Sequence, residues 1–298
     1  MNIIDPHHHL WDPQLNDHPW LRCEPMIPFR YGDYSALRQP FLLPDYDRVS
    51  SAWNVVASVT MEGEWNPEDP AGEVAWMAQL REQSGRPAAH VAQAWLDRDD
   101  LPMLLEQFAE LAFIRSVRHK PQSVDRPAGH AAVGGMSTTA FQQGYARLAG
   151  AGLHFDLQTP WWHLHEVEQL VRKSPQTLVI INHTGLPADR SAAGIAAWLA
   201  AMQQLAQLPQ IRVKISGLGV ADSAWNIDDN REIILRTIDV FGTDRCMFAS
   251  NFPVDGLCGS FDTLYSGYQD AVSGFSVTDT HALFYQTAYD TYLQGLTL

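Results

Sequence analysis

The sequence predicts an α/β chain folded as a (β/α)8 TIM barrel, one domain over residues 1–298. Three observations predict it: short β-branched runs recur eight times, helical segments alternate with them, and no linker divides the 298 residues. That alternation, at this length, is the pattern of a closed parallel barrel. A doubly wound open sheet is the competing arrangement. No GxGxxG turn follows the first run, however, so no nucleotide cofactor is expected.

The apolar runs lie at residues 3–4, 55–60, 90–96, 113–117, 153–158, 178–182, 211–216 and 246–249. Most are nearly continuous, as strands buried on both faces of a parallel sheet should be. Helices are predicted over 71–83, 101–111, 139–149, 164–173, 192–208 and 229–241. Pro70, the pair Ser137-Thr138 and the pair Asp228-Asp229 supply start signals for three of them. The alanine-rich 192–208 segment is interrupted by Gln203, Gln204 and Gln207, which makes it an amphipathic helix. No apolar run approaches the ~20 residues of a membrane span. Residues 12–44 and 120–136 read as long irregular stretches, a kind of loop that usually carries function.

Hydrophobic residues at 46% and charged residues at 18% describe an ordinary globular chain. Its net charge of −14 repels phosphate backbones and anionic membranes, so neither nucleic acid nor a membrane is expected as a partner. Cys23, Cys246 and Cys258 are odd in number and scattered, which suits reduced thiols in the cytoplasm. Residues 1–9 lack the basic and apolar segments of a signal peptide.

In such a barrel, chemistry sits at the C-terminal ends of the strands. The first run leads into Asp5-Pro6-His7-His8-His9, the second ends at Glu62, and the fourth ends at Arg118-His119-Lys120. The fifth holds Asp156 and Gln158, the sixth ends in Asn182-His183, the seventh carries Lys214 and Ser216, and the eighth leads to Asn251 and Asp255. His7 and His9 are two apart on an extended chain, so their rings share a side and could ligate a metal or polarise a carbonyl. His183 is the candidate third imidazole. Glu62 reads either as a ligand or hydroxyl binder or as a solvated loop residue. Arg118, His119 and Lys214 are candidate cationic groups for an oxyanion or a substrate carboxylate, and they favour a small anionic or hydroxyl-rich substrate. Trp11, Trp20, Trp65, Trp161 and Trp162 fall near strand-to-helix loops, where they could wall a ring or simply close the barrel mouth. Trp53, Trp76 and Trp198 are assigned to helices as packing residues.

The segments Ile4-Asp5-Pro6-His7-His8-His9-Leu10-Trp11-Asp12, His18-Pro19-Trp20-Leu21, Val117-Arg118-His119 and Ile181-Asn182-His183-Thr184-Gly185 appear in that order. With Val213-Lys214-Ile215-Ser216-Gly217-Leu218 and the run from Asp244 to Pro253, they resemble the amidohydrolase-related proteins of the amidohydrolase superfamily. Within it the chain is most similar to the sugar-lactone and pyrone-dicarboxylate lactonases. The resemblance implies an amidohydrolase-type barrel in which His7, His9 and His183 polarise an ester carbonyl, alone or through a divalent metal, zinc foremost. It also implies a last-strand aspartate that activates water. Here the pattern departs, because Ser250-Asn251-Phe252-Pro253 stands where the family has Ser-Asp-Trp-Pro. An amide cannot take up a proton as a carboxylate does, so Asn251 can orient water or donate to a carbonyl but cannot be the base. Asp255 and Asp156 are the candidate replacements; Asp255 reads equally as a turn cap. The expected activity is hydrolysis of a small cyclic ester, with Trp20, Arg118, His119, Lys214 and Asp156 as binding residues. A metal-dependent decarboxylase and a non-catalytic ligand-binding barrel are the other two readings.

Overall fold

The structure, a computed structural model, describes residues 1–125 and 133–296. Eight strands pair in sequence order, every neighbouring pair parallel. They are β1 (Ile3–His8), β2 (Val55–Met61), β3 (Ala89–Gln93), β4 (Ile114–His119), β5 (His154–Leu157), β6 (Val179–Ile181), β7 (Ile211–Ile215) and β8 (Cys246–Phe248). The barrel closes between the first and last strands through a seam rather than a regular ladder. Asn251 N donates to the His7 carbonyl at 2.7 Å, and His9 N donates to the Phe252 carbonyl at 2.7 Å. Asp5 fastens the seam from inside, accepting from Ser250 N at 2.9 Å and Ser250 Oγ at 2.6 Å.

Each predicted run holds a strand, with shifted ends. The first is longer than 3–4: β1 continues to His8, so His7 lies inside the strand and only His9 lies beyond it. The third, fifth and sixth are each two residues shorter than expected, at Ala89–Gln93, His154–Leu157 and Val179–Ile181. Alternation divides the core into two layers. Val179 and Ile181 join the outer cluster under the helices, whereas Ile180 joins Ile4, Val59, Val91 and Met247 inside the barrel. Tyr292, from the C-terminal segment, packs with this inner set.

The helices are α1 (Pro19–Arg22), α2 (Leu43–Ser50), α3 (Pro70–Ser84), α4 (Leu101–Ala109), α5 (Thr139–Arg147), α6 (Leu164–Lys173), α7 (Ala192–Leu205), α8 (Ile227–Phe241), α9 (Phe261–Ala271) and α10 (Val277–His281). Side-chain caps start several of them: Asp69 accepts from Gly72 N, Thr138 from Phe141 N, Ser191 from Gly194 N and Asn226 from Asp229 N. The expected Asp228-Asp229 start is corrected: Asn226 is the cap, and the two acids lie in the first turn, where the helix dipole favours them. The six predicted helices omitted α9 and α10, although Ser260 and Ser276 are legible caps for them. Residues 12–44 are less irregular than predicted, holding α1, a 3-10 turn at Ser35–Arg38 and the start of α2. Of the 120–136 stretch, residues 126–132 lie outside the described part. Trp53 is not helical; it follows α2 and donates to Asp262 at 3.0 Å. Among the described residues, no helix is long and apolar enough to cross a membrane.

Candidate active site

Three imidazoles meet at the C-terminal mouth of the barrel. The His7 ring lies 5.3 Å from that of His9 and 4.7 Å from that of His183, centroid to centroid. His8 points the other way, stacked on Tyr46 at 4.0 Å and bonded to Ser58 Oγ, as strand alternation requires. Burial pushes all three rings well below the ordinary imidazole range. Neighbouring cations add to this, Lys214 first at His7, Arg118 first at His9 and Arg30 first at His183. All three are therefore neutral at pH 7.

Their hydrogen bonds separate their roles. His9 Nδ1 lies 3.1 Å from the Glu62 carbonyl oxygen, which can only accept. Nδ1 must carry the proton, leaving Nε2 with a bare lone pair. His183 Nδ1 faces Ser216 Oγ at 3.0 Å, and a hydroxyl can donate to it, leaving Nε2 free to carry a proton. His7 has no partner at either ring nitrogen among the described residues. The backbone of His183 is left-handed, at φ 55°, because β6 ends in a tight turn that throws this side chain over the barrel.

Asn251 also has a positive φ, 52°, a conformation that asparagine tolerates better than most residues. Its Nδ2 donates to Asp255 Oδ1 at 2.7 Å. Asp255 also accepts from Tyr31 Oη at 2.9 Å and from Gly217 N at 2.8 Å. It neither caps a turn nor lines the cleft; its oxygens are occupied from behind. Burial lifts its carboxyl above the usual range, with Arg30, Asn251, Tyr31 and Gly217 acting in the opposite sense.

Arg118, Lys120 and Arg30 supply positive charge to the cleft, which His9, His183, Asn251 and Trp20 also line. Arg118 is buried, bonded through Nε to the Glu62 carboxylate and through Nη2 to the Glu62 carbonyl at 2.7 Å. Glu62 is therefore not a solvated loop residue. Burial would raise its carboxyl, but Arg118 and Lys120 hold it below the usual range. Lys120 pairs with Glu64, and burial pulls its ammonium down to about 8.

Three other predicted residues lie off the cleft wall. Lys214 and Asp156 form a fully buried pair at 2.8 Å, and Asp156 also accepts from Tyr292 and Asn182. Asp156 has no oxygen left to serve as a base. His119 is not a cation: burial lowers its imidazole to about 4, and its Nδ1 accepts from Leu96 N. The sequence reasoning passed over Arg30 and Tyr31. The available signal was Phe29-Arg30-Tyr31, a cation between aromatics in the longest predicted loop.

Neutral imidazoles are donors that zinc accepts, and the unpartnered nitrogens of His7 are available to it. Yet no three His, Cys, Asp or Glu side chains among the described residues are disposed as a ligand set. His7, His9 and His183 are the residues that would hold such an ion, and the steps below belong to the side chains.

Comparison with known proteins agrees with this architecture. The amidohydrolase family model matches residues 4–293. The chain is 35% identical over 288 residues to the uncharacterized protein y4mH of Sinorhizobium fredii, covering 96% of each. It is 29% identical over 299 residues to an L-fucono-1,5-lactonase of Burkholderia multivorans, covering 96% of this chain and 94% of the other. It also resembles a solved amidohydrolase from Burkholderia multivorans at 26% identity and a TM-score of 0.80, over 100% of both chains. That protein was crystallised once with HEPES and once with zinc.

Proposed function

The chain belongs to the amidohydrolase family, and from that premise we propose that it hydrolyses a small cyclic ester, a lactone. One observation carries the proposal: His9, whose Nδ1 proton is fixed by the Glu62 carbonyl, and His183, whose contact with the Ser216 hydroxyl lets Nε2 carry a proton, face one cleft beside the cationic groups of Arg118 and Lys120. The lactonase relative supports the reaction class.

Ester hydrolysis needs a base for water, a donor for the carbonyl oxygen and charge to stabilise the tetrahedral oxyanion. His9 Nε2 carries a lone pair and cannot donate to a carbonyl, so it is the base. Asn251, its amide fixed by Asp255, orients the water. Water oxygen bonds to the lactone carbon while His9 takes one proton. His183 Nε2–H, with Arg118 and Lys120, stabilises the oxygen that gains the electron pair. The ring carbon–oxygen bond then breaks, and the leaving alkoxide takes the proton from His9, giving a hydroxy acid.

The test is a pH-indicator screen of the purified protein on aldonolactones and carboxylated lactones, beside His9→Gln. Acid release by the native protein that the variant lacks is the expected result. Silence across the whole panel would overturn the reading.

A further inference from the structure

The histidine cleft is small. Its free space is about 40 Å³, enough for a reacting ester group and its water but not for a larger substrate's whole body. Beside it, sharing Arg30 as a common wall, opens a larger annex of about 380 Å³, the size of pocket that holds a small ligand. Its other walls include Trp162, Leu186, Pro187 and Val220, with Arg190 among them. Nothing in the lactonase mechanism uses this space.

Its two guanidinium groups are under-used. Arg190 Nη2 donates to the Leu218 carbonyl at 3.0 Å, but its Nε and Nη1 are buried with no partner among the described residues. A buried charged donor left unpaired is costly, and natural sites seldom keep one without a purpose. Arg30 reaches the Gly217 carbonyl at a long 3.5 Å and lies 4.6 Å from the Tyr31 ring. Neither arginine has a carboxylate in ion-pair contact among the described residues. An apolar slot walled by two arginines with no carboxylate partner among the described residues suits an anion, which would meet both positive charges there.

We propose that the annex binds the non-reacting end of the substrate, a flat apolar body bearing a carboxylate that Arg190 holds with Arg30. This deepens the lactonase reading and rests on it: the ester would lie in the histidine cleft and the carboxylate beyond Arg30. Arg30 then separates the reacting end from the recognised end.

Benzoate and its neutral counterpart benzamide test this by calorimetry on the full chain, with no turnover required. Benzoate should bind about tenfold or more tightly than benzamide, the usual weight of a charge-assisted hydrogen bond. Arg190→Gln should abolish that preference, with an unchanged far-UV circular dichroism spectrum and thermal unfolding showing that the variant is folded; Arg30→Gln should reduce it. Equal binding of the two probes, or native benzoate affinity in Arg190→Gln, would overturn the proposal. The two readings fail separately. Benzoate selectivity without lactone opening rejects the lactonase and keeps the annex. Lactone opening with equal kcat/KM on carboxylated and neutral lactones, before and after Arg190→Gln, rejects the annex and keeps the lactonase.

Discussion

Asn251 Nδ2 donates to Asp255 Oδ1 at 2.7 Å, so the amide standing where the resemblance implies an aspartate is held by a buried carboxylate. The relationship explains why an amide is tolerated there. A second carboxylate at this distance would force two buried acids to share a proton.

Asn251→Asp should therefore be sensitive to pH. The new acid has its folded pKa raised by Asp255, so the protonated form bridges the pair. Its contribution is present below the unfolded carboxyl value and is lost as pH rises through the raised folded value. Thermal unfolding should show the variant near the native protein at acidic pH and well below it near neutrality. A Tm difference that does not change with pH would contradict this.

Asp255→Asn replaces one of the two oxygens that accept from Tyr31, Asn251 and Gly217 with an NH2 group, without removing the proposed base. Turnover should fall by less than the roughly 100- to 10,000-fold that loss of a general base costs. The acid limb of the pH–rate profile should survive. A larger loss together with disappearance of that limb would make Asp255 the base instead.

The alkaline limb should belong to Lys120. Burial lowers its ammonium to about 8, so its positive charge is present below that pH and is lost as pH rises through it. Activity should decline above pH 8, and Lys120→Arg should move the decline upward. Lys214 is also lowered to about 8 by burial, but it lies off the cleft; an unmoved limb in Lys120→Arg would transfer the role to it.

Gly217→Ala should disturb the site from beneath. A Cβ there would stand 2.5 Å from His183 Nδ1 and 2.8 Å from an Arg30 Nη, on a backbone with φ +62°. The left-handed conformation alone costs about 1–2 kcal/mol for a residue other than glycine. Both lower stability and weaker activity are expected, measured by denaturant unfolding and lactone turnover. A variant unchanged in both would mean the loop relaxes without cost.

Metal removal checks the imidazole mechanism. Turnover should persist after dialysis against a chelator, measured on whichever lactone the screen identifies. A loss restored by zinc would show that His7, His9 and His183 rearrange into a ligand set.

The eight strands and six of the helices were legible in the linear chain because burial imposes its pattern on neighbouring residues: an apolar run, a period, a capping side chain. His7 and His9 were legible for the same reason, since two residues along a strand return a side chain to the same face. His183 followed from the apolar run before it. What depended on folding was every contact between segments distant in sequence. The chain alone could not show that Asp156 would be consumed by Lys214 and Tyr292, or that His119 would become neutral. Nor could it show that Arg30 would come to stand over Gly217, 187 positions away. Charge and protonation at this site are set by desolvation and by partners across the barrel, and those exist only once the strands have closed through His7 and Asn251.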